Sequence, residues 1–212
     1  MIPMRKDKIS TAVIRRLPRY YRHLDDLYRN GAVRISSSAL AESMGLTASQ
    51  IRQDLSCFGE FGQQGYGYNI ERLRAEVADI LGMNEQHTAV ILGAGNLGRA
   101  LLENFPFHFY GFRAVAAFDI EPTIVGTRLG GIPVYHINML ENFISEHDVS
   151  VGVLTVPAVN AMAAAARLVE CGIRGIWNFT NVELPIEDPA VKVENVHFAD
   201  SLLTLSYMIS EE

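Results

Sequence analysis

A glycine-rich segment in the middle of the chain has the residue types and spacing of a phosphate-binding loop. It reads Gly93-Ala94-Gly95-Asn96-Leu97-Gly98 and follows a short β-branched run, Thr88 to Leu92. The first glycine permits a tight turn, the second lets the backbone approach a pyrophosphate, and the third lets the next helix pack against its strand. The positive end of that helix, expected from Asn96 to Phe105, would face the phosphates. The segment predicts a dinucleotide site, with an ordinary strand-turn-helix as the alternative.

An acidic residue lies where a dinucleotide fold places its ribose ligand. A second strand, Arg113 to Phe118, ends at Asp119, about twenty residues beyond the last glycine. A carboxylate at this position can accept both ribose hydroxyls. The next residue, Ile120, offers no partner for a 2′-phosphate. The pattern therefore predicts NAD(H), in preference to NADP, as the cofactor.

Further cofactor contacts are expected at the carboxyl ends of later strands. A helix over 138–146, a strand over 149–155, an alanine-rich helix over 157–171 and a strand over 175–179 continue the pattern. This alternation predicts an α/β Rossmann fold, a doubly wound parallel sheet that binds ligands at its carboxyl edge. The predicted cofactor residues beyond the loop are Phe105, Asp119, Thr155, Val156, Pro157, Asn178 and Phe179. For each strand-end residue, an ordinary role in the loop is the alternative.

An aromatic stretch, Phe105, Phe107, Phe109 and Tyr110, follows the predicted phosphate-binding helix. If it lines the nicotinamide pocket, it would favour neutral NADH over cationic NAD+, because burying a charge is costly. Groups that could catalyse a reaction are scarce in this half of the chain. Its histidines are scattered, and it has no glycine-lysine phosphate loop, no metal-ligand spacing of His and Cys, and no nucleophile elbow. We therefore predict no catalytic and no metal-binding residue.

Composition and charge divide the chain. The 212 residues are 49% apolar and 20% charged, which fits two small soluble domains. Residues 1–34 carry nine bases and three acids, whereas residues 85–212 carry six bases and fifteen acids. A basic head on an acidic body suggests that the head meets a polyanion, with a solvated basic face as the alternative. Without a membrane-length apolar run or a signal-peptide pattern, and with Cys57 and Cys171 in different halves, we expect a cytoplasmic protein that has no disulfide framework and no membrane partner.

The first eighty residues have the pattern of a helix-turn-helix reader. One helix follows Ile14, Leu17, Tyr21, Leu24 and Tyr28, and either begins near Pro18 after a short arm or kinks there. Ser37 or Ser38 is expected to cap a second helix that ends at Gly45, and Thr47 with Gln50 has capping-box spacing for a third. The third helix exposes side chains that can contact bases or phosphates in the major groove. A plain helical bundle is the alternative.

A hairpin of alternating glycines and aromatics, Phe58 to Tyr68, is expected to form a wing, and a further helix to end at Gly82. The reader and the wing predict contacts with double-stranded DNA. The predicted DNA-binding residues are Arg16, Ser37, Ser49, Gln50, Arg52, Gln53, Ser56, Gln63, Gln64 and Tyr68.

The order of these motifs closely resembles the Rex family of redox-sensing transcriptional repressors over nearly the whole length. The matching segments are Arg16-Leu17-Pro18, Tyr20-Tyr21-Arg22, Ile35-Ser36-Ser37, Gln50-Ile51-Arg52, Asp54-Leu55-Ser56, Gly65-Tyr66-Gly67-Tyr68, Gly93 to Gly98, Phe118-Asp119, Leu154 to Pro157, and Gly175 to Thr180. The resemblance implies an N-terminal winged helix-turn-helix domain at 1–82, a Rossmann domain at 83–198 and a C-terminal helix at 199–212 that is exchanged between the subunits of a homodimer. The apolar composition of 199–210 independently suggests burial in a partner.

The chain departs from that family at several positions. Gln53, Gln63 and Gln64 stand where bases are usual, so phosphate affinity is expected to be weaker. Some members couple an arginine of the first helix to a tyrosine and to an aspartate of the partner. Arg22 matches the arginine, whereas Phe105 and His197 take the other two places.

The resemblance predicts a repressor that binds palindromic operator DNA as a homodimer, is released by NADH and so senses the ratio of NADH to NAD+. One dinucleotide per subunit would change the spacing of the two recognition helices. The alternatives are an NAD-dependent dehydrogenase with an accessory N-terminal domain, and a nucleotide-dependent structural protein that binds no operator.

Overall fold

The computed structural model describes residues 9–59, 61–63 and 66–210. The chain forms two compact units, Met1–Asn84 and Glu85–Glu212. The first unit contains four helices, α1 (Thr11–Arg29), α2 (Ser37–Met44), α3 (Ala48–Ser56) and α4 (Ile70–Ile80), among its described residues. Strands β1 (Arg34–Ile35), β2 (Gly62–Gln63) and β3 (Gly67–Asn69) form a small antiparallel sheet in the order β1-β3-β2.

Helix α1 is longer than the pattern predicts. Ser10 caps it by accepting a hydrogen bond from the Val13 N–H, and the helix continues through Pro18 without a break. Of the two alternatives, a main helix that begins near Pro18 is therefore wrong, and a kink at Pro18 stays a prediction. A proline removes one helical hydrogen bond, and fully buried Leu17, Tyr20 and Leu24 on both sides of it pack the helix into the core.

The N-caps of α2 and α3, the two helices of the predicted helix-turn-helix, agree only in part with the prediction. Ser36, rather than Ser37 or Ser38, caps α2, and its Oγ lies 3.0 Å from the Ala39 nitrogen. Thr47 caps α3 as predicted, accepting from the Gln50 N–H at 3.1 Å. The Gln50 side chain does not reach back to complete a capping box, because its amide donates to Asp54 instead.

The second unit is a Rossmann fold, which confirms the predicted fold class. Its strands are β4 (His87–Leu92), β5 (Phe112–Asp119), β6 (Arg128–Leu129), β7 (Ile132–His136), β8 (Val151–Leu154), β9 (Gly175–Asn178) and β10 (Lys192–Asn195). They form a sheet in the order β10-β9-β8-β4-β5-β7-β6, which is parallel except for β6. Helices α5 (Asn96–Asn104), α6 (Leu140–Glu146), α7 (Ala158–Glu170) and α8 (Phe198–Ser210) accompany it, with short 3-10 turns at Phe107–Tyr110 and Ile137–Met139.

The two faces of this sheet bury separate apolar clusters. On one face, Val90 and Leu92 of β4 pack with residues of α6 and α7. On the other, Ile91 packs with Leu102 of α5. Successive side chains of a strand point to opposite faces, so β4 contributes to both clusters and is buried on both sides.

Helix α8 contributes no buried side chain to its own chain. Its apolar residues Phe198, Leu202, Leu205 and Ile209 are all more than half exposed and recur at four-, three- and four-residue steps. A stripe of this kind is typical of a surface that another molecule covers. In the described part of the chain, no helix combines the length and hydropathy of a membrane span.

Candidate functional site

The glycine loop lies at the switch point of the sheet. Strand β4 pairs with β5 on one side and with β8 on the other, so the connections that leave these strands diverge there. In doubly wound folds this divergence opens the crevice in which ligands bind. Gly93 follows β4 directly, and Thr155 follows β8.

Two glycines of the loop are required by crowding within the protein. Gly93 has φ +96°, and a Cβ there would lie 2.8 Å from the carbonyl carbon and oxygen of Thr155. A Cβ on Gly98 would lie 1.9 Å from the Gly93 carbonyl oxygen. The Thr155 hydroxyl donates to that same oxygen at 2.7 Å. Thr155, predicted to contact the cofactor, therefore also holds the loop in place.

Gly95 differs from these two because a Cβ on it would meet no atom within 4 Å. Gly95 is the N-cap residue of α5, and no side chain of the described residues caps this helix. The first N–H groups of α5, at the positive end of the helix, are therefore left without a side-chain acceptor among the described residues. This is the arrangement that a pyrophosphate requires, so the residues present fit a dinucleotide.

Asp119 connects the glycine loop to the end of β5. Its Oδ2 accepts the Ala94 N–H at 2.6 Å, and its Oδ1 accepts the N–H groups of Ile120 and Glu121 at 2.7 and 2.9 Å. A carboxylate has about four acceptor positions, so the group can still accept a ribose hydroxyl. The predicted ribose ligand is thus fixed in orientation by the loop that would hold the phosphates.

Asn178 is fully engaged inside the protein. Its amide donates to the Val182 carbonyl and to Asn195 Oδ1, and it accepts from the Thr180 N–H and hydroxyl. Since the side chain is buried and uses all four of its hydrogen-bonding positions, it shapes the loop after β9. The predicted contact of this side chain with the cofactor stays a prediction that the geometry does not favour.

The predicted contact of Phe105 with the nicotinamide stays a prediction that the geometry does not favour. Helix α5 starts at the carboxyl edge of the sheet and runs back along it for nine residues, about 14 Å, so Phe105 lies at the opposite edge. There it packs against Phe107, Tyr110 and Trp177, with ring centroids 5.0 to 5.4 Å apart. These rings line a cavity of about 450 Å³ with the first residues of β8, β9 and β10, which we call the aromatic groove.

Phe179, Val156 and Pro157 do lie at the carboxyl edge. Phe179 is buried, and its ring lies between Trp177 and Phe198, with centroid distances of 4.5 and 6.1 Å. Val156 directly follows Thr155, and its nitrogen borders the position that a Cβ on Gly93 would occupy. Pro157 is the N-cap residue of α7, which has no side-chain cap among the described residues.

In the first unit, the structure exposes the predicted reading face of α3. Ser49, Arg52, Gln53 and Ser56 are all exposed. The Ser37 hydroxyl of α2 accepts from Arg52 Nη1 at 3.0 Å, so this serine orients the arginine beside it. These side chains are available to DNA in the way that the sequence predicts.

A buried carboxylate connects α1 to α3. The Asp54 side chain is fully buried and accepts from Arg16 Nε and Nη2 at 2.6 and 2.8 Å, from the Tyr20 hydroxyl at 2.7 Å, and from Gln50 Nε2 at 2.8 Å. Burial alone would raise the pKa of Asp54, but the hydrogen bonds from Arg16, Tyr20 and Gln50 outweigh it and lower the pKa below its ordinary value. The carboxylate is therefore ionised at neutral pH.

Two arginines of the basic head are therefore engaged within the protein. Besides the pairing of Arg16 with Asp54, Arg19 Nη2 donates to the Met44 carbonyl at the end of α2, at 3.2 Å. Arg16 was predicted to bind DNA, and the structure gives it the task of positioning α3. Sequence reasoning missed Asp54, although it occupies the apolar stripe of α3 with Ile51, Leu55 and Phe58, and a charge on such a stripe suggests a buried partner.

The predicted wing contacts have different outcomes. Tyr68 is 7% exposed in the central strand of the small sheet, so its ring belongs to the core rather than to a DNA-binding surface. Tyr66, two residues earlier and outside the strand, is 70% exposed. Gln63 ends β2, and Gln64 lies outside the described residues.

The predicted coupling residues belong to different units. Arg22 is exposed on α1. His197 precedes α8, and its Nε2 lies 3.1 Å from Glu183 Oε1. Glu183 also accepts from Asn195, which in turn accepts from Asn178. No group of residues that could hold a metal ion occurs in the described ranges of the chain.

Sequence comparison assigns the family. A relative from Thermoanaerobacter pseudethanolicus, described as "Redox-sensing transcriptional repressor Rex", is 48% identical over 98% of this chain and 92% of its own. The chain belongs to the Rex family. Another Rex repressor, from Clostridium beijerinckii, is 46% identical over 98% of this chain and 99% of its own.

Further matches agree with this assignment to the Rex family. Family models described as "Putative DNA-binding protein N-terminus" and "CoA binding domain" match residues 8–56 and 84–182. A solved structure described as "RSP in complex with beta-NAD+ and operator DNA" has a TM-score of 0.90 and 47% identity, covering 97% of this chain and 94% of its own. A second, described as "RSP in complex with beta-NADH", has a TM-score of 0.90 and 44% identity over 97% and 96%.

Removal of the buried carboxylate tests its structural role. Asp54→Ala should lower the free energy of unfolding of the first unit by about 3–5 kcal/mol, because it leaves the Arg16 charge without its partner. Urea denaturation followed by circular dichroism measures this. The difference in free energy of unfolding between wild type and Asp54→Ala should shrink below about pH 4. Because folding lowers the pKa of Asp54, the carboxylate stabilises the folded state above its unfolded-state pKa, and this contribution is lost as the pH falls through the folded-state pKa.

Exposed Asp26 on the same helix as Arg16 provides the control. Asp26→Ala should change the free energy of unfolding by no more than about 0.5 kcal/mol. A loss below about 1 kcal/mol for Asp54→Ala would contradict a dominant role for the network in holding α3.

The two glycines of the loop should separate binding from folding. Gly95→Ala has room in the protein itself, so the thermal midpoint should stay unchanged while NADH affinity falls about 10- to 100-fold, the loss of one hydrogen bond to a charged group. Gly98→Ala should lower both, because its Cβ overlaps the Gly93 carbonyl. Titration calorimetry and thermal denaturation measure the two effects. Unchanged NADH affinity in Gly95→Ala would argue against a pyrophosphate at this position.

Proposed function

We propose that this chain is a homodimeric transcriptional repressor that binds palindromic operator DNA and is released by NADH, acting in the cytoplasm as a sensor of the NADH to NAD+ ratio. The observation that carries the proposal is the presence, in one Rex-family chain, of an exposed reading helix and an open dinucleotide loop. The relatives support the two ligands, since one RSP complex contains NAD+ with operator DNA and another contains NADH.

The homodimer is supported by the exposed stripe on α8. Thirteen residues of helix span about 20 Å, and the stripe exposes four large apolar side chains along that length. The aromatic groove of the second unit offers a surface of matching chemistry. We infer that each copy covers the stripe of the other, so that α8 is exchanged and two reading helices are presented together to the two halves of a palindrome.

A dehydrogenase is the second candidate function. The observation that favours it is the histidine–carboxylate pair of His197 and Glu183, which follows the carboxyl ends of β10 and β9. An acid–base pair near a dinucleotide site is what hydride transfer to a carbonyl, or from an alcohol, needs, because the oxygen must gain or lose a proton. Our proposal is that the chain binds NADH stoichiometrically without turnover. Steady oxidation of NADH with any of a panel of carbonyl substrates would favour the dehydrogenase.

Titration with nucleotide tests the sensor. NADH should displace a palindromic operator duplex from the full-length protein, whereas NAD+ at the same concentration should not, because the two ligands favour different dimer geometries. Fluorescence anisotropy of the labelled duplex measures release. Gly95→Ala is the matched control and should bind the duplex but need about 10- to 100-fold more NADH for release. Release by NAD+ at equal or lower concentration than NADH would contradict the proposal.

A charge on the stripe of α8 tests the dimer. Leu205→Glu should weaken self-association about a hundredfold, because two copies each lose about 1.5 kcal/mol of apolar burial. Sedimentation velocity measures the mass. Thr204→Glu, one residue away and outside the stripe, is the control and should remain dimeric. Equal dimer strength in both variants would mean that the stripe is not the subunit contact.

A further inference from the structure

Gln50 in the first turn of α3 is held at two points. Its backbone N–H donates to Thr47 Oγ1 at 3.1 Å, and its side-chain Nε2 donates to Asp54 Oδ1 at 2.8 Å. The side chain is half-buried, unlike its exposed neighbours Ser49 and Gln53. Gln50 thus connects buried Asp54 to the exposed face of α3 that is expected to contact DNA.

The chemistry of Asp54 decides which way the Gln50 amide faces. Asp54 already accepts three hydrogen bonds from Arg16 and Tyr20, and it is ionised. An ionised carboxylate has no hydrogen to donate, so only the NH₂ end of an amide can meet it. Within the described ranges, no residue donates to Gln50 Oε1.

We propose that Gln50 is a specificity-determining residue that Asp54 orients, so that Oε1 accepts a hydrogen bond from the exocyclic amine of a base in the major groove. This inference rests on the proposed function. Adenine and cytosine both carry such an amine, at N6 and N4. Adenine is the expected partner, because its N7 can also accept the second N–H of the amide, whereas cytosine offers no acceptor beside N4 in that groove.

The orientation matters because a freely rotating amide can present either end. With its NH₂ outward, glutamine would read guanine O6 or N7 or thymine O4 equally well. The contact with Asp54 engages one N–H and leaves Oε1 beside the second N–H, so a guanine would set its O6 acceptor against the Oε1 acceptor. Discrimination then comes from exclusion of the wrong orientation as well as from the contact itself.

Base analogues test the acceptor. An operator is first selected by the full-length protein from a random duplex library without NADH. Each adenine is then replaced by purine, which lacks the 6-amine, and each cytosine by 2-pyrimidinone, which lacks the 4-amine. One adenine per half-site should show a loss of about three- to tenfold in wild-type affinity and none in Gln50→Ala. A cytosine that behaves in this way would support the acceptor but replace adenine as its partner.

Two variants of the network separate orientation from stability. Tyr20→Phe removes one hydrogen bond from Asp54 but leaves the partner of Gln50, so discrimination at that base should persist. Asp54→Leu leaves no acceptor for the Gln50 amide and should abolish it. If Asp54→Leu does not fold, hydrogen exchange in the wild type decides, because a side-chain amide proton of Gln50 should exchange more slowly than those of exposed Gln53.

Several outcomes would overturn the proposal. The first is that no amine is found whose loss affects wild type but not Gln50→Ala. The others are equal discrimination in Asp54→Leu and wild type, loss of discrimination in Tyr20→Phe, and equal hydrogen exchange at Gln50 and Gln53. These outcomes leave the proposed function intact. Failure of the wild type to bind any selected duplex would instead overturn the proposed function, and this inference with it.

Discussion

The contact between Gly93, Gly98 and Thr155 is the constraint on which the nucleotide-binding half depends. The end of β4 must approach the end of β8 so closely that neither glycine tolerates a Cβ, and the Thr155 hydroxyl fixes the Gly93 carbonyl. This closeness sets where α5 begins and leaves its first N–H groups uncovered. Asp119 then holds the loop from the other side through Ala94. The phosphate-binding end and the ribose-binding carboxylate are therefore parts of one packed unit.

In the first unit, buried polar contacts of charged side chains fix the positions of the helices that form the exposed surface. Three hydrogen bonds from α1 reach the Asp54 carboxylate, and Arg19 holds the end of α2 through the Met44 carbonyl. A buried ion pair is not a large net gain over an apolar pair, but loss of one partner is costly. The network therefore specifies how the two reader helices sit on α1. As a consequence, Arg16 and Arg19 of the basic N-terminal segment bond within the protein and are less available to a polyanion.

Sequence reasoning predicted the features that depend on residues close together in the chain. The glycine loop and Asp119 could be predicted from the spacing of residues in successive strands and turns, and the exposed face of α3 from the spacing within one helix. Asp54 was missed because its main partner lies thirty-eight residues away. The predicted contact of Phe105 is not favoured because its position along α5, converted into a distance, lies far from the carboxyl edge. Tyr68 is buried, although glycine-aromatic alternation was taken as surface, because a strand turns alternate residues inward. Strand β1, two residues long, has no period to detect.

Under the proposed function, the base of α8 is where ligand and dimer meet. A chain of hydrogen bonds runs from Asn178 at the carboxyl edge through Asn195 and Glu183 to His197, and α8 begins at the next residue. We expect a ligand that shifts this edge to shift the helix on which the second copy is proposed to pack. In the proposed dimer, that movement would change the distance between the two copies of α3 without any contact between ligand and DNA. Because the coupling is a free energy shared by both sites, DNA that favours one spacing must weaken the ligand that favours the other by the same factor.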